Sequence, residues 1–220
     1  MPAPSFNSLR RRSTSRLRPL PPNCEQHRRS RPRKIFKGRV QELVKRSQID
    51  NLLGALALTT KDNLTSDFRG LDLHSETDVA TLVLLLQFEG LSIRGLAELL
   101  ELSHSSTVRV ADRLENRSLV RRSYRSEDAR GVQLTLTNTG RSLASAALAA
   151  RGRTLRSMLS VLSTAELRQF GDLLTKVLVG VTTSRMAADR LCRLCNEAAC
   201  TRTTCPVEQR ALQVVRQRSK

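Results

Sequence analysis

Residues 96–140 read LAELLELSHSSTVRVADRLENRSLVRRSYRSEDARGVQLTLTNTG, and the order of apolar positions there admits few folds. Leu96, Ala97, Leu99 and Leu100 recur at helical spacing. Ser103 stands where a second helix needs a hydroxyl to accept from its unpaired first amides. In that helix Val108, Ala111 and Leu114 fall three apart and are expected to form the buried stripe. Ser105, Ser106, Arg109 and Arg113 then lie mostly on the opposite face. Residues 120–125 and 132–137 are short and rich in β-branched side chains, so they read as two strands. The loop between them, 126–131, ends in Gly131, which can take a positive φ.

A short helix, a tight turn, a second helix and a hairpin make a winged helix-turn-helix. The expected fold is mainly α with a small β-wing and helical dimerisation arms. The exposed chemistry suits double-stranded DNA. Ser103, His104, Ser105, Ser106, Thr107, Arg109 and Arg113 are the expected contacts of the second helix. Arg grips guanine through two parallel hydrogen bonds, and hydroxyls reach base edges or phosphates. Arg125 and Arg130 at the hairpin tip can reach a phosphate or a narrow minor groove, with Asp128 orienting Arg130.

Net charge is +18, unevenly placed. Residues 1–46 hold 14 Lys and Arg against Glu25 and Glu42, which leaves only +6 on the rest. Six of the seven prolines also lie in the first 32 residues. This arm cannot bury enough apolar surface to order itself. Three readings of it stay open. It can be a solvated tail, a phosphate-binding arm acting by counterion release, or a targeting segment or misassigned start. It lacks the apolar core of a secretory signal. Aromatic residues make up 3% of the chain, with no Trp, which argues against a stacking platform for single strands.

Residues 47–191 form the expected DNA-binding domain. Ile49, Leu52, Leu53, Leu56 and Ala57 make a helical stripe running towards Phe68. Ser75 and Asp78 have capping-box spacing ahead of Val79, Leu82, Val83 and Leu86. A long helix is expected from Thr137 or Asn138 to about Leu162. Ser163 and Glu166 form a second capping box, followed by Leu167, Phe170, Leu174, Val177 and Val181 at 3,4,3,4 spacing. The first and last helices thus carry apolar faces that the winged domain does not cover, and a homodimer is expected. No segment approaches the ~20 apolar residues of a membrane helix, so no membrane partner and a cytoplasmic location are expected.

Residues 192–220 are a basic tail containing four of the five cysteines, as Cys192-x2-Cys195-x4-Cys200-x4-Cys205. Such thiolates can close a tetrahedral zinc site or hold an iron–sulfur cluster. They can also serve redox exchange, or have no special role. The three histidines are dispersed, and no P-loop, paired-carboxylate or dinucleotide motif occurs, so no enzymatic activity is expected.

The pieces LAELLELS (96–103), TVRVADRLE (107–115), LVRR (119–122), DAR (128–130) and LTLTNTG (134–140) resemble the MarR (multiple antibiotic resistance regulator) family of winged-helix repressors. More loosely the resemblance spans residues 48–191. It implies that the helix holding Ser105 and Arg113 is the recognition helix, and that Asp128 and Arg130 are the wing aspartate and DNA-contacting arginine. It also implies a cleft for hydrophobic or aromatic anions. The chain departs from the family at Ser118, where Gly is usual, and at Val108, where Thr is frequent. The expected function is a sequence-specific regulator of transcription, a dimeric repressor responsive to a ligand or oxidant. The alternative is a basic architectural or RNA-binding protein driven by the arm.

Overall fold

The computed structural model describes the backbone of residues 45–125 and 128–218, and side chains over the same span except 124–131 and 218. The basic arm and Cys24 lie outside the described residues, and with them every reading of the arm. From Ser47 on, the described residues belong to one compact unit.

Helix α1 (Arg46–Arg69) joins the core only at its C-terminal end, through Leu64 and buried Phe68. Helix α2 (Glu76–Gln87) is central. Residues 78–85 are all buried, not just one face, because α3, α4, α5 and β3 pack around them. The expected capping box at its start does not form. Ser75 is the N-cap residue but makes no side-chain cap bond, and Asp78 turns instead to Arg113.

The two-residue strand β1 (Leu91–Ser92) was not visible in the sequence. It leads into α3 (Ile93–Leu100), where the Ser92 hydroxyl accepts from the Gly95 amide at 3.0 Å. Glu101 ends α3 at a left-handed φ of 54°. Helix α4 (His104–Asn116) follows, capped by Ser103 as expected. Its buried stripe is Thr107, Val110, Ala111 and Leu114, and the expected Val108 is only partly buried. Strands β2 (Val120–Arg125) and β3 (Asp128–Leu136) pair antiparallel, and the sheet order is β1-β3-β2. Strand β3 begins at Asp128, so Gly131 lies within a strand and not in a turn. The register shifts between Tyr124 and Arg125.

Helix α5 (Asn138–Leu159) is capped by Thr137, whose hydroxyl accepts from the Gly140 amide and lies 2.7 Å from the Ser118 carbonyl. Helix α6 (Thr164–Val181) starts with the expected Ser163–Glu166 capping box and buries none of its residues. The segment expected as a tail is packed instead. Helices α7 (Arg185–Leu191) and α8 (Pro206–Arg218) share a small second core of Ala188, Cys205, Val207 and Ala211. Among the described residues no helix is long and apolar enough to cross a membrane.

Two backbone positions carry unusual constraint. A Cβ on Gly140 would lie 1.9 Å from the Leu119 carbonyl oxygen. Ser118 holds φ 56°, a conformation that costs an L-residue about 1–2 kcal/mol. Gly140→Ala is therefore expected to destabilise the fold by about 3 kcal/mol or more. Ser118→Gly is expected to stabilise it by about 1 kcal/mol and raise Tm by roughly 2–4 °C. Thermal melts of both variants check the two signs.

Candidate nucleic-acid interface

The outer face of α4 is sorted by what its side chains already bond. The Ser103 hydroxyl accepts from the Ser106 amide at 3.1 Å and lies 2.8 Å from the Ser106 hydroxyl. Ser103 and Ser106 thus build the cap, while Ser105, also 3.1 Å from the Ser103 hydroxyl, is exposed. His104 and Arg109 are exposed as well. Thr107 corrects the sequence reading: it is fully buried, and its hydroxyl donates to the Ser103 carbonyl at 3.0 Å. A side chain spent inside the helix turn cannot touch a base.

Arg113, whose side chain is 45% exposed, has in addition a structural role. Its Nε and Nη2 donate to the two oxygens of Asp78 at 3.0 and 2.5 Å. Asp78 is 3% exposed, so this pair ties α4 to the centre of the fold. The hydrogen bond to Asp78 is the main cause that raises the Arg113 pKa. Arg122 of β2 clamps the opposite side of α4. It donates to Asp112 at 2.5 Å and also binds Glu115, whose other oxygen accepts from the Arg122 amide at 3.2 Å. Its pKa is raised, chiefly by the Asp112 hydrogen bond. Asp112, Glu115 and Arg122 have no such role in the sequence reading, and Asp78 figures there only as half of a capping box. Opposite charges on elements that meet only in space leave no local spacing signal.

The structure therefore brings His104, Ser105 and Arg109 together on one exposed face, with Ser103 and Ser106 at its edge. The side chains of Arg125, Asp128 and Arg130 lie outside the described part, so the wing contacts stay as sequence expectations.

Two cavities lie away from this face. One, of about 350 Å³, is lined by Ala57, Leu64, Phe68, Leu73 and Leu194, with Lys61, His74 and Glu76 also on its wall. The His74 ring bonds Asp72 at 2.9 Å. The other, of about 260 Å³, is lined by all four C-terminal cysteines. Cys192 and Cys195 are hydrogen-bonded. That bond is the main cause that raises the Cys192 pKa and lowers that of Cys195 to about 6, the latter helped by Arg151. Burial foremost pushes Cys200 up to about 11, with a hydrogen bond to Cys205 adding to it. Among the described residues no three His, Cys, Asp or Glu side chains stand ready to grip a single metal ion.

Residues 75–132, from the cap of α2 into β3, match the model of the MarR family. Solved structures share the fold. The YusO protein from Bacillus subtilis is 26% identical, covering 60% of this chain and 92% of its own, with a TM-score of 0.54. A MarR family protein from Bacillus stearothermophilus is 24% identical over 60% and 91%, with a TM-score of 0.54. MepR, a transcription regulator of the Staphylococcus aureus multidrug efflux pump MepA, is 22% identical over 60% and 96%, also at 0.54. No curated protein matches the chain. The cysteines lie beyond the family match.

The two arginines of α4 should separate cleanly in unfolding experiments. Arg113→Ala leaves the buried Asp78 carboxylate unpaired and is expected to cost about 2–4 kcal/mol. Arg109→Ala touches only solvent and should stay within about 0.5 kcal/mol of wild type. Denaturant titration of both variants measures the difference.

Proposed function

We propose that this chain is a transcription regulator that binds double-stranded DNA sequence-specifically as a homodimer, and that it represses. The observation that carries this is the outer face of α4. Its holding groups, Thr107, Asp112, Arg113 and Glu115, are all engaged within the protein, while His104, Ser105 and Arg109 project from a helix fixed in place. A rigid helix with an exposed guanidinium and hydroxyl is what readout in the major groove requires.

The homodimer rests on two uncovered faces. Ile49, Leu52, Leu53 and Leu56 on α1 and Leu167, Leu174, Val177 and Val181 on α6 are each more than 40% exposed. A second copy would bury both faces and place two α4 helices about one turn of DNA apart. The cavity beside α1 suits a hydrophobic or aromatic anion, which would rest its ring on Leu64, Phe68 and Leu73 and its charge near Lys61 or His74.

Arg109→Ala is expected to weaken binding to the preferred duplex by about 1–3 kcal/mol with the fold intact. Leu53→Glu combined with Val177→Glu should yield a monomer that loses tight binding to a two-fold site. Light scattering and a duplex-binding titration at fixed salt test both. A wild-type chain that stays monomeric at micromolar concentration, or an Arg109→Ala variant that binds like wild type, overturns this function.

A further inference from the structure

The segment between α7 and α8 contains no regular helix or strand, and residues 196–199 and 201–204 are exposed while its four cysteines are at least partly buried. The core beneath it consists of Ala188 of α7, Val207 and Ala211 of α8 and the segment's own Cys205, with Leu178, Cys192 and Cys200 against it. Such small side chains supply little hydrophobic stabilisation, and a stretch this irregular needs a cross-link to stay ordered. The thiols are placed to supply one. Cys192, Cys195, Cys200 and Cys205 all line the same cavity of about 260 Å³, and Cys192 and Cys200 pack against the small core that contains buried Cys205. A tight turn brings Cys195 back beside Cys192, the Cys195 amide donating to the Cys192 carbonyl at 2.8 Å. Gln87 of α2 donates to the Cys195 carbonyl at 2.5 Å and fixes the turn against the core.

We propose that Cys192, Cys195, Cys200 and Cys205 form a thiolate metal centre, an iron–sulfur cluster or a zinc ion, which cross-links the segment between α7 and α8. Binding sends the four thiol protons to solvent and leaves a centre with net negative charge. Positive groups stand near to balance it. Arg151 acts on Cys195, and Arg202 is on the cavity wall. Arg185 is on the wall too but is taken up by Asp189 and Glu208. Glu197 also lines the cavity and opposes this balance in part. The arrangement suits a cluster better than an ion. One zinc needs every sulfur about 2.3 Å from a single point, and the thiols would have to turn to reach that. A two-iron cluster takes two thiolates on each iron and so asks less convergence of the four sulfurs.

The test uses the full chain, purified without oxygen or chelators. It is supplied in one arm with ferrous iron and sulfide under reductant and in another with zinc alone, then desalted. Bound iron, sulfide and zinc, the visible spectrum and the reactive thiols are measured on wild type and on Cys195→Ser, Cys200→Ser and Cys24→Ser, with circular dichroism to verify the fold. About one centre per chain is expected, retained in Cys24→Ser and reduced at least tenfold in the other two. Iron with sulfide identifies a cluster, and zinc alone identifies a single ion. No bound metal in a folded wild-type chain overturns the proposal, whether the four thiols then react freely or are lost to disulfides. Equal metal in Cys195→Ser and wild type overturns it as well.

Discussion

The bond between Asp78 and Arg113 sets the position of everything used for recognition. Asp78 lies in a helix buried on all sides, where an unpaired carboxylate would be costly. It is tolerable there only because Arg113 reaches in from α4 with two hydrogen bonds. The apolar stripe of α4 decides which side faces the core. The ion pair fixes its angle and register, since two parallel N–H···O bonds allow little sliding. Arg122 adds a third fixed point from the wing through Asp112 and Glu115. The side chains left for DNA are those that this frame does not use.

The same frame reaches the C-terminal segment. Arg190 of α7 donates twice to the Glu98 carbonyl at 3.2 Å and pairs with Glu101 at 2.5 Å, so α7 sits against the end of α3. Arg193 pairs with Glu76 at the start of α2, and Gln87 holds the cysteine turn at its end. The surface pairs contribute little singly. Together with Leu194, which packs against the main core, they join the cysteine region to the helices that present α4.

Local chemistry made much of this legible in the sequence. Ser103, Thr137 and the Ser163–Glu166 box cap their helices because a cap needs only a hydroxyl at one position and a partner amide three residues on. The apolar faces of α1 and α6 were visible for a similar reason. Features that depend on contact in space were not. Asp78 has ideal capping-box spacing from Ser75, but the Arg113 guanidinium competes for it and wins. Thr107 looks like a polar surface residue until its hydroxyl is seen folded back on the turn. Val110, not Val108, completes the stripe with Thr107, Ala111 and Leu114. Strand β1 is too short for any alternation, and it exists because β3 offers an unpaired edge at Gln133 and Leu134. Ser118 was noted as a departure from the family. Its positive φ shows what that departure costs the backbone.

Binding-site selection from a random duplex library tests the central claim, that a rigid α4 reads bases in the major groove of a two-fold site. The expected result is an inverted repeat with half-sites about one helical turn apart, retained at physiological salt, in which Arg109→Ala relaxes one position per half-site. Recovery of no consensus, with affinity that collapses as salt rises and is equal for unrelated duplexes, would contradict it.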